Sequence, residues 1–185
     1  MAKIFFDSEF TGLHQKTTLV SLGFVSDDGQ KFYGEFTDYD VSQVDEWLME
    51  NVIKNLFQHS PSAEYGDLML PDYPDYTYVG DTEFIREKLL KWFTQFDKVE
   101  LWSDCLSFDW VLLSELIANR DNGYPKLPDN FVYHSPFDIV TVLKMRGLDY
   151  DVTREEFAGL KANGRKHNAL WDAEVIKACY ERLMA

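Results

Sequence analysis

The chain has 185 residues, 45 % of them hydrophobic and 16 % aromatic, a composition that excludes a disordered or collagen-like polymer and suffices for one domain with its own core. Its 18 basic and 32 acidic residues give a net charge of −14, the wrong sign for holding nucleic acid through bulk electrostatics. No run of about 18 apolar residues occurs, so a membrane span is excluded, and two cysteines are too few for a disulfide framework, so a cytoplasmic protein is expected.

The opening residues Lys3–Phe6 form a short apolar run that meets acids at once, too early for a secretory signal. Thr17–Val25 is β-branched and aliphatic, and after Asp27-Asp28-Gly29-Gln30 the alternating Lys31–Phe36 follows. With Gly29 in the turn, these read as a three-strand antiparallel meander. Val41, Val44, Trp47, Leu48, Ile53, Leu56 and Phe57 recur at intervals of three and four, which predicts an amphipathic helix across residues 41–57. Phe84, Ile85, Leu89, Leu90, Trp92 and Phe93 predict a second, after a start signal at Asp81 and Thr82. Between them, residues 59–79 are rich in proline, tyrosine and acids and show no period, and we read them as a flap or an oligomer contact.

Val99–Trp102 reads as a further strand and Phe108–Ile117 as the helix after it. Residues 121–128 read as a loop, Phe131–Tyr133 as a short strand, Ser135-Pro136 as the start of a helix running to about Arg146, and Asn168–Leu183 as a final helix. Strands first and strand–helix alternation afterwards predict an α/β fold with a mixed sheet flanked by helices, in one domain over residues 1–185.

Three elements carry chemistry. Asp7-Ser8-Glu9 closes the first strand, where alternation points both carboxylates to one side, as a divalent-cation site needs. Asp-x-Glu occurs three times in the chain, but only this copy follows an apolar strand and leads into Phe10-Thr11-Gly12-Leu13, where Gly12 lets the backbone approach a ligand. Ser107-Phe108-Asp109-Trp110 puts an acid among large apolar residues at a helix start, which a first-turn acid alone would also explain. His167-Asn168-Ala169-Leu170-Trp171-Asp172 is more informative, because histidine occurs only 4 times and His-x-Ala-x-x-Asp is rare by chance; a histidine five residues before an acid suits a base beside a metal ligand. The only local basic excess, Lys144, Arg146, Arg154, Lys161, Arg165 and Lys166, is a candidate for an anionic ligand.

In this order the three elements resemble the DEDDh branch of the DnaQ-like 3′–5′ exonucleases, which have the RNase H-like fold. The spacing is similar to that of ribonuclease T, oligoribonuclease and, through His-Asn-Ala-Leu-x-Asp-Ala, compact bacterial and phage exoribonucleases. One position departs from the commoner pattern: Cys105 stands where an Asn precedes the second-motif aspartate. The resemblance implies a two-metal site with Asp7 bridging both ions, Glu9 and Asp172 on the ion that holds the attacking water, Asp109 on the second, and His167 as general base. Two Mg²⁺ ions suit such an all-oxygen site, and Mn²⁺ substitutes. It further implies a homodimer and single-stranded 3′ ends cleaved to nucleoside 5′-monophosphates, RNA favoured over DNA. Substrate contacts are expected from Phe10, Thr11, Gly12, Leu13 and Phe108, with Trp171 more readily read as core, and from Arg165 and Lys166, with His14, for which a solvated surface is the competing reading. Single-stranded DNA is the alternative substrate. A haloacid dehalogenase-like phosphatase, from Asp7-Ser8-Glu9-Phe10-Thr11, and an acidic interaction protein are the remoter readings.

Overall fold

The computed structural model describes residues 1–59, 66–68, 76–121, 124–161 and 166–185. Arg165 and most of the tyrosine- and proline-rich stretch therefore lie outside the described residues. Among the described residues the chain folds around a seven-stranded sheet. Its strands are β1 (Ala2–Phe10), β2 (Leu19–Ser26), β3 (Lys31–Phe36), β4 (Gly66–Leu68), β5 (Thr77–Gly80), β6 (Val99–Ser103) and β9 (Phe137–Asp138), in the spatial order β4-β5-β3-β2-β1-β6-β9. β7 (Asn119–Asp121) and β8 (Tyr124–Lys126) form a separate hairpin. β1, β2 and β3 pair antiparallel as the predicted meander, and Gly29, at φ 93°, takes the turn that a side chain would strain. β6 runs parallel to β1 and β9 parallel to β6.

Side-chain alternation along β1 divides the core. Ile4 and Phe6 face α2 (Thr82–Phe93) and α3 (Asp109–Ile117), joining Ile85, Leu89, Trp92, Phe93, Leu113 and Ile117. Phe5 faces α4 (Ile139–Met145) and α6 (Ala169–Met184), joining Ile139, Leu143, Val175 and Ile176. The layers are helix, mixed sheet, helix, an α/β arrangement consistent with an RNase H-like fold.

Several elements differ from the sequence reading. Residues 41–57 are not one helix: a 3₁₀ turn at Val41–Gln43, α1 (Glu46–Asn51) and 3₁₀ turns at Ile53–Asn55 and Phe57–His59 succeed one another. Asp40 caps the first turn through Ser42 N and Asp45 caps α1 through Leu48 N, so two start signals fall inside one apolar period. β4 and most of β5 lie in the stretch read as aperiodic, and the β7–β8 hairpin overlaps the predicted loop, starting two residues before it. Phe131 makes only an isolated bridge to Val99, and the strand falls at Phe137–Asp138, where the helix was expected to have begun. α5 (Arg154–Ala158) has no counterpart in the sequence reading.

Candidate active site

β1, flanked by β2 and β6, is the strand around which the site is built. The alternation that sends Phe5 toward α6 sends Asp7 and Glu9 the same way, at the carboxyl end of the strand, where open α/β sheets place their ligands. α6 supplies the third acid. Its N-cap Asn168 accepts from Trp171 N at 3.1 Å, which leaves Asp172 in the first turn, a favoured place for an acid. Gly23 lies opposite Asp7 in the β1–β2 register, and a Cβ there would come within 2.3 Å of the Ala169 carbonyl and Leu170 N. The missing side chain lets the helix start rest directly on β2. Asp7, Glu9 and Asp172 consequently offer carboxylate oxygens all within 4.8 Å of one another.

Asp109 opens α3 just after β6 and is 1 % exposed. One carboxylate oxygen accepts from Ser8 Oγ at 2.5 Å and the other from Ser103 Oγ at 2.9 Å, which fixes its plane. With Asp7 and Asp104 it makes a second group of oxygens within 4.8 Å of one another.

Burial and mutual repulsion set the electrostatics. Burial, then Asp109, Asp172 and Glu9, raises Asp7 well above the usual carboxylate range. Burial and Asp172 push Glu9 up to about 8. Burial pushes Asp109 to about 7 against the two serine hydrogen bonds, and burial with Glu155 pushes Asp172 to about 7. Acids crowded in this way favour protonation unless cations join them.

His167 has φ 63°, the one non-glycine positive φ among the described residues. Backbone in this sparsely populated region is tolerated where the surroundings dictate it, and here it turns the ring inward just before the α6 cap. Nδ1 lies 4.0 Å from Glu9 Oε1, and the exposed Trp47 of α1 meets the imidazole edge to face at 5.0 Å. Burial and Lys166 lower the pKa of His167, so the ring is neutral at pH 7. Cys105, at the cavity mouth, is pushed up to about 11 by burial and by Asp109, so it is a thiol, not a thiolate nucleophile.

A cavity of about 370 Å³ is lined by these acids together with Phe10, Arg154, Lys166 and His167. A second, of about 430 Å³, shares Glu9 and Phe10 and extends along Gly12, Leu13 and Trp47. Phe10 and Phe108 stack on each other at 5.2 Å, both half-buried. Leu13 is 76 % exposed at the edge of the second cavity. Thr11 is buried, with its hydroxyl donating to Gln43 Oε1 at 2.6 Å and accepting from Thr18 N at 2.9 Å, so its side chain holds the loop rather than reaching outward. Nearest to the space over Gly12 is the His14 ring, 2.9 Å from a built Cβ. Trp171 is buried in the α4–α6 core. The basic stretch disperses: Arg146 bonds the Leu183 carbonyl, Lys144 lies over the Tyr150 ring, Arg154 pairs with Asp104, and among the described residues of the stretch only Lys166 stands exposed at the cavity.

Ser8, Ser103, Asp104 and Trp47 were not singled out as site residues in the sequence, and Arg154 entered only as one of the basic stretch, not as a partner of a site carboxylate. Ser8 carried a signal of its own, standing between the two acids of the first motif. Trp47 was absorbed into an apolar period, and the other three adjoin the site only once β6 and α5 are placed.

An α/β sheet that gathers buried acids at the ends of its parallel strands β1 and β6 suits an enzyme that hydrolyses nucleic acid, and the class to which fold and comparison lead is the 3′–5′ exonucleases. Within that class, residues 2–184 match the 3′-5′ exoribonuclease Rv2179c-like domain, and the chain belongs to this family. No curated protein matches it. Among the described residues no helix is long and apolar enough to cross a membrane.

Proposed function

We propose that the protein is a divalent-metal-dependent 3′–5′ exoribonuclease whose residues 1–185 form one exonuclease domain, shortening single-stranded RNA to nucleoside 5′-monophosphates. The observation that carries this reading is the convergence of Asp7, Glu9 and Asp172, and of Asp7 with Asp109, at oxygen separations within 4.8 Å. The donor set fits the ions: it is all oxygen, anionic and crowded enough to raise every one of its pKa values, which is the environment Mg²⁺ or Mn²⁺ relieves. Asp7, Glu9 and Asp172 would hold one ion, and Asp7 and Asp109 the other. When bound, such a pair neutralises charge on the phosphoryl oxygens and lowers the pKa of an attacking water.

The chain's own groups do the rest. His167, neutral at pH 7, takes the proton of the attacking water at Nδ1, the nitrogen facing Glu9. Ser8 and Ser103 hold Asp109 in one orientation, an outer-shell role that keeps a ligand on target. Phe10, Gly12, Leu13 and Trp47 line the adjoining cavity, where a terminal base stacks with little sequence preference. Lys166, at the mouth, meets the phosphate backbone.

The protein acts in the cytoplasm, whose reducing conditions suit the free thiols Cys105 and Cys179. It works as a homodimer, for which support comes from the resemblance and from the exposed Val132, Tyr133 and Phe137 beside the edge strand β9. Sedimentation showing a monomer at micromolar concentration removes the dimer. The test of the activity is product analysis on matched 5′-labelled RNA and DNA single strands, with Mg²⁺ or with chelator. Stepwise 3′ shortening of RNA, abolished by chelator, is expected; shortening of DNA alone would reassign the substrate, and chelator-resistant cleavage would overturn the metal dependence.

A further inference from the structure

The proposed site uses four carboxylates, yet two more, Asp104 and Glu155, line its cavity, and of these two Asp104 is the one grouped with Asp7 and Asp109. Asp104 follows the last residue of β6, and one of its oxygens lies within 4.8 Å of those of Asp7 and Asp109. Its partner is Arg154, the first residue of α5, whose Nε stands 3.4 Å from Asp104 Oδ2. Arg154 is held through both its side chain and its backbone. Nη2 donates to the Tyr150 carbonyl at 2.9 Å, and the Arg154 carbonyl accepts from Cys179 Sγ of α6 at 3.2 Å. Nη1 is buried without a hydrogen-bond partner among the described residues, and the whole side chain is 18 % exposed. A buried donor left unpaired is costly, so what this arginine brings to the site is its charge and place rather than a full set of hydrogen bonds.

We infer that Arg154 is a positioning residue that neutralises Asp104 and so keeps a fifth carboxylate from competing with substrate phosphate at the seat formed by Asp7 and Asp109. The inference rests on the metal-dependent reading. Charge balance supplies the reason. Four ligand carboxylates match two divalent cations, so ligands and ions together would carry no net charge when the phosphate arrives. A fifth, unpaired anion within reach adds a negative charge there and offers an oxygen for the position a phosphate oxygen needs. Paired with Arg154, Asp104 does neither.

The test is calorimetric titration of the full chain with Mn²⁺, together with steady-state kinetics on a short oligoribonucleotide, for Arg154→Met and for Arg154→Met/Asp104→Asn. Methionine keeps the apolar stem and removes the charge. In Arg154→Met the freed carboxylate should tighten Mn²⁺ binding about tenfold and raise KM about tenfold, with kcat less affected. Removing the carboxylate as well should return both quantities to within about threefold of wild type. A purely structural arginine predicts no gain in metal affinity and no rescue. An unchanged Mn²⁺ affinity in Arg154→Met, or a double variant about tenfold weaker for Mn²⁺ because Asp104 is itself a ligand, overturns the inference. Where Arg154→Met does not fold, the double variant decides alone by the same criterion. Wild-type protein that takes up no Mn²⁺ sinks the metal-dependent reading itself, whereas normal uptake with an unresponsive Arg154→Met sinks only this inference.

Discussion

Asp7 is held where an anion is least welcome, with burial and neighbouring carboxylates all raising its pKa. Replacement by asparagine keeps the shape and removes the charge, so Asp7→Asn should abolish turnover while raising the melting temperature of the metal-free protein, by about 2–4 °C for each kcal/mol gained. Differential scanning calorimetry in chelator checks this, and a lower melting temperature would contradict it. His167 predicts the opposite separation. Its loss should slow kcat by about 10²–10⁴-fold and leave Mn²⁺ affinity intact, because nothing in the proposed site makes it a ligand. Rapid-quench kinetics beside a metal titration distinguishes the two. These residues were legible in the sequence because their chemistry is local: Asp7 and Glu9 share a strand face, and His167 and Asp172 flank a helix cap. Asp104 and Arg154 were not, because their 3.4 Å contact joins positions fifty residues apart that no periodicity connects.

The start of α6 on β2 places both Asp172 and His167. It depends on Gly23, over which the helix backbone passes too closely for any Cβ. Gly23→Ala should therefore displace the helix start and cost about 1–3 kcal/mol, as overpacking does, with activity falling more than stability because Asp172 moves with the helix. Wild-type kcat in a folded Gly23→Ala protein would contradict this placement. The meander and the two long helices α2 and α6 could be read from alternation and from spacing. Residues 41–57 could not, because Asp40 and Asp45 each restart the chain within one apolar period. Nor could the short strands β5 and β9, which exist through their pairing with β3 and β6 rather than through a pattern of their own.

For the whole molecule, a charge of −14 and a polyanionic substrate are reconciled only at the site. Carboxylates whose folded pKa lies above the unfolded value stabilise the fold most below the ordinary carboxylate range, and that stability is lost as pH rises through the folded pKa. With Asp109 and Asp172 at about 7 and Glu9 at about 8, the metal-free protein should lose stability as pH rises from about 4 to about 8, and Asp7→Asn, which removes one buried anion and its repulsion of the others, should lose less. Saturating Mg²⁺ should reverse the order at the upper end, since the ions bind the deprotonated form. Melting curves across this range with and without Mg²⁺ check the sign, and a gap that narrows with rising pH in chelator would contradict it. The same protons make Mn²⁺ affinity rise with pH over that interval.

The most direct measurement is the anomalous scattering of Mn²⁺ in crystals of the protein grown or soaked at about pH 8, where the carboxylates release their protons. Two peaks are predicted, one among Asp7, Glu9 and Asp172 and the other between Asp7 and Asp109, with Asp104 still paired to Arg154. No manganese among these carboxylates at saturating concentration, in a protein that nevertheless degrades RNA, would contradict the account at its centre.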